Sequence, residues 1–191
     1  MAKEFFHPSV TADLICLTED HKVLLIKRSE DAKAFPGHWA FPGGFMDADD
    51  SCIEAAAVRE LKEETGLEAK RIDLLGVYTK KGRDPRGPVH STAFVTWIDE
   101  SEVGKAKAGD DASEALFWQW NVQQTDIDTV VVNLSCDGVF THREIWIRCR
   151  TEEDAYGVKR HVVVRQDTYN TRQLAFDHAQ ILVDAICKNA L

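Results

Sequence analysis

Several features are scarce in this sequence of 191 residues, and each absence excludes a class of protein. The five cysteines are scattered, and no two have the spacing of common zinc or disulfide-exchange motifs. With 23 basic against 32 acidic residues, the net charge is -9 and no basic cluster stands out, which argues against a nucleic-acid partner. No apolar run is long enough for a membrane span, and residues 1–8 contain none suited to a secretory signal. We therefore expect a cytoplasmic protein with free thiols that binds neither nucleic acid nor membrane.

The order of the predicted elements indicates an α+β fold. Strands and helices are mixed without strict alternation, which does not fit a doubly wound parallel sheet. A hydrophobic content of 44% over this length predicts one domain, residues 1–191. Strands are predicted at Val10–Leu17, Val23–Lys27, Ile72–Tyr78, His90–Ile98 and Leu116–Trp120.

A β-rich region follows. Residues 126–170 carry short β-prone runs around a turn at Asp137-Gly138, which predicts an extra β-hairpin insertion before a closing helix. These runs are Thr129–Leu134, Glu144–Ile147 and Val162–Val164. The closing helix is predicted to begin at Asp177, its expected cap. Its apolar stripe consists of Ile181, Leu182, Ala185 and Ile186.

The segment Ser51–Thr65 is the strongest helix prediction in the chain. Asp49, Asp50 and Ser51 offer oxygens for the N-terminal cap, and Gly66 follows where a C-terminal cap belongs. Glu60, Glu63 and Glu64 lie within an arc of about 100° on this helix, because successive residues turn by about 100°. Like charges at this spacing repel each other, but a hard divalent cation such as Mg²⁺ or Mn²⁺ makes such a cluster favourable.

Neighbouring residues fit the same chemistry. Arg59 can hold a carboxylate in place, and Gly43-Gly44 lets a backbone carbonyl approach a metal without a Cβ in the way. A metal held in this way neutralises phosphate charge and lowers the pKa of a bound water. The alternative is a surface helix with solvated glutamates. The combination with the two glycines favours a metal site for phosphoryl chemistry.

The stretch Phe41–Leu67 resembles the signature of the Nudix hydrolase superfamily, and Arg59–Leu67 matches its second half fully. This resemblance implies an α/β/α sandwich with a mixed sheet and a Mg²⁺ or Mn²⁺ cofactor. It also implies metal ligation by Glu60, Glu63, Glu64 and the carbonyl of Gly44, with Arg59 orienting the carboxylates. One departure is that Gly44 lies fifteen positions before Arg59, one more than the pattern has. The upstream glutamate of the pattern therefore falls on Ser51 or on Asp50.

Flanking motifs resemble one branch of the superfamily, which contains ADP-ribose pyrophosphatases and related transcriptional regulators. These motifs are Lys22–Arg28, His38–Phe45, Arg83–Gly87, Gly109–Ala115 and Leu174–Ala179. The candidate substrate-binding residues are Arg28, Phe45, Arg83, Asp84 and Arg86, on the argument that arginines bind phosphate and an aromatic ring stacks on a base. The alternatives are a tight turn with solvated arginines and a phenylalanine that belongs to the core. Glu114, or Asp110-Asp111, is the candidate general base, with capping and solvation as the alternative.

The resemblance implies a homodimer that hydrolyses the diphosphate of a nucleoside diphosphate derivative, with ADP-ribose giving AMP and ribose 5-phosphate. The alternatives are a ligand sensor without catalysis, or a hydrolase of oxidised nucleoside triphosphates, NADH or nucleotide sugars. The regulators of this branch carry a winged-helix domain after the closing helix, whereas thirteen residues follow His178 here. The enzyme is therefore the expected function.

Overall fold

The structure, a computed structural model that describes residues 6–109, 112–137 and 141–189, contains ten strands and three helices within those ranges. The strands are β1 (Ser9–Leu17), β2 (Lys22–Arg28), β3 (Trp39–Ala40), β4 (Gly43–Phe45), β5 (Asp73–Tyr78), β6 (Val89–Trp97), β7 (Ala112–Asp126), β8 (Thr129–Asp137), β9 (His142–Glu153) and β10 (Lys159–Tyr169). The helices are α1 (Ile53–Thr65), α2 (Glu100–Val103) and α3 (His178–Asn189). None of these described helices is long and apolar enough to cross a membrane.

All ten strands belong to one mixed sheet. Its order is β10-β9-β8-β7-β2-β1-β6-β5, with β3 paired to β2 and β4 paired to β1. The pairing of β1 with β6 is parallel and runs in register from Ser9 opposite Val89 to Leu17 opposite Trp97. The remaining pairings are antiparallel. The predicted α+β class and the mixed sheet are confirmed.

Successive side chains of the central strands point to opposite faces of the sheet, and a separate core lies on each face. In β2, Leu24 and Ile26 pack in the core that contains the buried residues of α1. Val23 and Leu25 pack in the core that contains the buried residues of α3. The layers are therefore helix, sheet and helix, as the resemblance implied.

Helix α1 begins at Ile53, two residues later than predicted. Cys52 is its N-cap and provides no side-chain cap, so the predicted caps Asp49, Asp50 and Ser51 are wrong. The carboxylate of Asp50 instead accepts hydrogen bonds from Arg59, further along the helix. The predicted C-terminal cap is confirmed, since Gly66 has φ 72° and its N–H donates to the carbonyl of Lys62.

The region 126–170 is β-rich as predicted, but it is larger than one hairpin. Strand β7 is three times as long as the predicted Leu116–Trp120, at 15 residues, and β8, β9 and β10 extend the sheet from its edge. Each neighbouring pair in this extension is antiparallel. The insertion thus widens the existing sheet, and Gly138 of the predicted turn lies outside the described residues.

Helix α3 connects the two opposite edges of the sheet. Its predicted apolar stripe is confirmed, because all four residues of the stripe are buried. At one edge, the side chain of Gln180 bonds to the backbone of β10. At the other, Lys188 donates to the carbonyl of Leu75 at 2.6 Å, and Tyr78 donates to Asp184 at 2.8 Å. Because β10 and β5 are the outermost strands, the sheet must curl around α3 to make both sets of contacts.

Candidate active site

Arg59 connects the acidic side chains at the end of β4 and on α1. Its Nη1 donates to Glu60 at 2.9 Å and to Glu63 at 3.0 Å. Its Nε and Nη2 donate to the two carboxylate oxygens of Asp50 at 3.0 and 2.9 Å, and Nη2 also donates to the carbonyl of Phe45 at 3.1 Å. The guanidinium is thus hydrogen-bonded to three carboxylates at once, and its orienting role stays a prediction.

The sequence left the position of the signature's upstream glutamate open between Asp50 and Ser51, and the geometry favours Asp50. Its side chain is 6% exposed and receives two hydrogen bonds from Arg59, which lower the pKa of the carboxyl group below its usual value. Ser51 is exposed, and its hydroxyl donates to the Sγ of Cys52. The extra residue of the signature therefore lies between Asp50 and the helix.

Glu64 is the most buried acid of the glutamate cluster (Glu60, Glu63 and Glu64). It is 8% exposed and accepts a hydrogen bond from the N–H of Gly43 at 2.9 Å. Burial, with the nearby charge of Glu60 in addition, raises the pKa of Glu64 to about 8 despite that hydrogen bond. Burial also raises the pKa of Glu60, against the hydrogen bond from Arg59. The cluster is therefore unfavourable as a set of bare anions, and a cation among these side chains would relieve the cost.

The surroundings of Gly44 fit a metal ligated by oxygen atoms. A Cβ at Gly44 would lie 2.3 Å from Oε1 of Glu60, so only glycine allows this backbone to approach the carboxylate so closely. Within the described residues, no three acidic, histidine or cysteine side chains are arranged as a set that could hold a metal ion. Arg59 pairs with Glu60 and Glu63, and Glu64 accepts a hydrogen bond from Gly43. The available donors are carboxylates and a carbonyl, the ligands that Mg²⁺ and Mn²⁺ prefer. Glu60, Glu63, Glu64 and the Gly44 carbonyl are the residues that would hold it.

A cleft of about 620 Å³ opens in front of the glutamate cluster. This volume is in the range of pockets that bind small molecules. Its lining includes Gly43, Gly44, Phe45, Arg59, the three glutamates and two further arginines, Arg28 and Arg86. The cleft thus combines the glutamate cluster with cationic side chains that include Arg28 and Arg86, which suits a ligand that carries phosphates and a metal ion together.

Two of the predicted substrate-binding arginines, the arginine pair (Arg28 and Arg86), are held by neighbouring side chains. Asp84 is buried and binds the Nε and Nη2 of Arg86 at 2.7 to 3.2 Å. The Cζ of Arg86 also lies 4.6 Å from the ring centre of Phe45 and 5.3 Å from that of Phe176. Arg28 lies against the same Phe176 ring at 5.2 Å. The structure therefore brings Arg28, Phe45, Asp84 and Arg86 together at the cleft.

Arg83 has a different environment from Arg86. It is buried and donates to both carboxylate oxygens of Asp177, at 2.9 and 2.6 Å. Asp177 was predicted to cap α3, and its side chain pairs with Arg83 instead. Both lie beside His178, whose Nδ1 accepts from the N–H of Phe41 at 3.0 Å and whose pKa is lowered by burial. Arg83 lines a small cavity of about 50 Å³ next to the cleft, and its role in substrate binding stays a prediction.

Glu114 lies on the wrong face of the sheet for the role predicted for it. It pairs with Lys27 across β7 and β2, on the face that carries Leu25 and the core around α3. Burial raises its pKa, but hydrogen bonds from Arg143 at 2.6 Å and Lys27 at 3.1 Å outweigh burial and lower it. The prediction that Glu114 acts as general base beside the metal ligands is therefore wrong. The other candidates, Asp110 and Asp111, lie outside the described residues.

Phe176 lies beside the cleft and was not predicted from the sequence as part of the site. Its ring contacts Arg28, Arg86 and Phe35, and it is part of the lining of the small cavity. The only signal in the sequence was the family-like motif Leu174–Ala179, which carried no assigned role. Asp177 of the same motif was likewise not recognised as the partner of Arg83.

Comparison with known proteins agrees with this geometry. Residues 7–125 match the sequence profile of the NUDIX domain family. The ADP-ribose pyrophosphatase of Methanocaldococcus jannaschii is 47% identical over 117 residues, which cover 61% of this chain and 65% of that protein. The chain thus matches slightly less than two thirds of the length of this curated relative.

Two solved structures share the fold. A MutT/nudix family protein from Enterococcus faecalis is similar over 100% of this chain and 65% of its own, with a TM-score of 0.70 and 29% identity. The NUDIX domain of Shewanella oneidensis NrtR, solved in complex with ADP ribose, has a TM-score of 0.54 and 27% identity over 60% of this chain and 75% of its own. Since the family profile matches more than half of the sequence, the chain belongs to the NUDIX domain family.

Proposed function

We propose that this protein is a metal-dependent hydrolase that cleaves the diphosphate of ADP-ribose to AMP and ribose 5-phosphate. The observation that carries the proposal is the cleft, where a glutamate cluster organised by Arg59 faces the arginine pair. The identity with a relative named ADP-ribose pyrophosphatase and the fold shared with a domain that binds ADP ribose support this substrate.

The residues of the cleft have different roles in diphosphate cleavage. The glutamate cluster and the carbonyl of Gly44 would hold Mg²⁺, which when bound neutralises phosphate charge and activates water. Arg59 fixes two of these carboxylates and is itself fixed by Asp50. Arg86 and Arg28 bind phosphate oxygens, because a guanidinium offers several N–H donors in a geometry that suits them. The reaction then depends mainly on positioning, as phosphoryl chemistry generally does.

The test is a panel of substrates incubated with and without Mg²⁺, with a phosphatase that releases phosphate from the products. The panel contains ADP-ribose, NADH, nucleotide sugars and oxidised nucleoside triphosphates. Glu64→Gln tests the cluster, and Glu68→Gln is the matched control, since Glu68 is exposed and pairs with Lys62 at the surface. We expect turnover of ADP-ribose that needs the metal, survives in E68Q and is lost in E64Q.

Other outcomes of this experiment identify the alternatives. Binding of ADP-ribose without turnover of any substrate would contradict the enzyme and favour a ligand sensor. Stronger turnover of another member of the panel would keep the chemistry and change the substrate. Turnover that persists in E64Q would contradict the role given to the glutamate cluster.

We also propose that the protein is a cytoplasmic homodimer that prefers Mg²⁺ and folds as one domain over residues 1–191, including the β-rich region 126–170. Light scattering of the purified protein tests the dimer, and fractionation of cells tests the location. A comparison of Mg²⁺ with Mn²⁺ in the turnover assay tests the metal. A single cooperative unfolding transition, observed with more than one probe, is expected for one domain.

A further inference from the structure

The small cavity next to the cleft is lined in part by a segment outside the region that matches the family profile, which ends at residue 125. This segment follows β10 and is bonded to β3: Trp39 donates to the carbonyl of Gln173 at 3.1 Å, and Ala175 donates to the carbonyl of Trp39 at 2.7 Å. These two hydrogen bonds fix the chain directly before Phe176. The ring of Phe176 is thereby placed beside the arginines of β2 and of the loop before β6.

Phe176 is held in an unusual backbone conformation. Its φ is 51°, in the left-handed region that bulky residues rarely adopt. Phe35, which packs its ring against Phe176 at 4.8 Å and 61°, has the same φ of 51°. Such conformations persist only where the surrounding structure determines them, and they are frequent at functional sites. Two of them in contact beside the arginine pair point to a requirement for the position of this ring.

The ring of Phe176 is shared by two cations. The Cζ of Arg28 and the Cζ of Arg86 lie 5.2 and 5.3 Å from its centre, both within the range of a cation–π contact. Two guanidinium groups in one cleft repel each other, and Phe176 is in contact with both, whereas Asp84 and Phe45 contact Arg86. A contact with a ring stabilises a guanidinium without using an N–H donor. The ring adds to contacts that already orient both groups, since Arg28 donates from Nε to the carbonyl of Ala34 at 2.9 Å and Arg86 donates from Nε and Nη2 to Asp84.

We propose that Phe176 is a positioning residue that sets the spacing of Arg28 and Arg86, so that the two guanidinium groups bind neighbouring phosphates and favour a diphosphate over a single phosphate group. The inference rests on the proposed function for its substrate. It concerns a residue that touches the arginines rather than the reacting atoms. Its effect should therefore fall on substrate binding and not on the chemical step.

The test compares Phe176→Leu, which removes the ring, with Phe176→Tyr, which keeps it. Phe117→Leu is the matched control, because Phe117 is a half-buried phenylalanine of β7 that packs in the core around α1. Binding of ADP-ribose, inorganic pyrophosphate and inorganic phosphate is measured by calorimetry in EDTA, where no metal-dependent turnover occurs. KM and kcat for ADP-ribose are measured separately with Mg²⁺.

We expect F176L to weaken binding of ADP-ribose and pyrophosphate about tenfold, the size of two lost cation–π contacts, and to leave phosphate binding nearly unchanged. KM should rise by a similar factor while kcat changes little. F176Y should restore binding to within about twofold, because the ring is what the arginines contact. F117L should bind all three ligands as the unmodified protein does.

Several results would overturn the proposal. Unchanged pyrophosphate binding in F176L would show that the ring does not set the spacing. Equal losses for phosphate and pyrophosphate, or the same loss in F117L, would indicate a general structural role. If F176L does not fold, Phe176→Met carries the same test, since a flexible side chain fills the space without a ring.

The proposed function and this inference fail separately. Pyrophosphate binding that depends on Phe176 without hydrolysis of ADP-ribose would refute the function and keep the inference. Hydrolysis of ADP-ribose with no dependence on Phe176 would do the reverse. An unmodified protein that binds neither pyrophosphate nor ADP-ribose would refute both.

Discussion

Replacing Asp50 with asparagine should weaken metal binding and turnover, although Asp50 is not expected to touch the metal. Two of the five hydrogen bonds of the Arg59 guanidinium go to the two oxygens of Asp50. Asparagine keeps the shape but presents an N–H₂ group to one of these donors and removes the charge. Arg59 is then held mainly by Glu60 and Glu63, the carboxylates that a divalent cation has to use.

The size of the effect follows from the supporting position of Asp50. Residues that orient the ligands of a metal typically cost roughly 10- to 100-fold in metal affinity or activity when they are replaced. Asp50 belongs at the upper end of that range, because its side chain is only 6% exposed and both of its oxygens are bonded to Arg59. The loss should be found mainly in the Mg²⁺ concentration needed for half-maximal turnover.

The assay is a Mg²⁺ titration of ADP-ribose turnover, together with direct binding of Mn²⁺ measured by electron paramagnetic resonance. Asp47→Asn is the matched control. It makes the same chemical change beside the same arginine, but the carboxylate of Asp47 is 69% exposed and lies 3.6 Å from Arg59. D47N should stay within about twofold of the unmodified protein, as expected for an exposed ion pair. Equal effects of D50N and D47N would refute the reasoning.

Four further outcomes are expected from the same cluster. Glu64→Gln should reduce turnover roughly 100-fold or more. It should nevertheless stabilise the metal-free protein at pH 9, because a neutral amide still accepts the Gly43 hydrogen bond. Calorimetry at that pH measures whether the free energy of unfolding rises. Because the pKa of Glu64 rises from 4.5 to about 8 on folding, the folded state binds more protons, so the metal-free protein should lose stability as pH rises between these values. A scan of Tm against pH without the metal that shows no downward slope would refute the raised pKa of Glu64. Mg²⁺ at a hundred times its Kd should add about 2.7 kcal/mol to the free energy of unfolding and raise Tm by roughly 5 to 10 °C. Gly44→Ala should abolish metal-dependent turnover. The fold should survive, since the flexible end of Glu60 can move away from the new methyl group. Gly104→Ala is the control and should leave turnover unchanged, because the space around Gly104 is open.

The parts of the site that lie within a few residues of each other were predictable from the sequence. The glutamate cluster and Arg59 lie on one helix, where spacing alone decides which side chains are neighbours. Gly66 ends that helix because it adopts a backbone conformation that other residues resist. The start of the helix was less predictable. Asp50 is a good cap in general, but a bidentate pair with an arginine nine residues later binds its oxygens instead.

The extent of the strands depends on neighbours that the sequence does not reveal. The second half of β7 contains Asn121, Gln123 and Gln124, which discourage a strand prediction. The structure pairs these residues with β8, so backbone hydrogen bonds to a partner strand override their composition. Whether a polar run becomes a strand is therefore decided by the next segment of the chain.

Contacts between distant segments account for the remaining differences. Arg83 and Asp177 are 94 residues apart, and nothing local in either motif distinguishes a salt bridge from a phosphate ligand. The face on which Glu114 lies follows from the register of β7 on β2, which includes an irregularity between Lys27 and Arg28. Phe176 lies against Arg28 and Arg86 because the segment before it is hydrogen-bonded to β3.

Gln180 of α3 has a consequence for the behaviour of the protein in a concentrated solution. Its side-chain amide accepts from the N–H of Val163 at 2.9 Å and donates to the carbonyl of His161 at 2.8 Å, so it imitates one peptide unit of a further strand. The outermost strand of a sheet is where a second chain would add and start aggregation, and proteins protect such edges in various ways. Here the side-chain amide of Gln180 bonds to two backbone groups of the edge strand β10, and the same helix bonds to β5 at the other edge. Release of the whole helix α3 would therefore expose both edges together, so the packing of this helix on the sheet protects against aggregation as well as contributing stability.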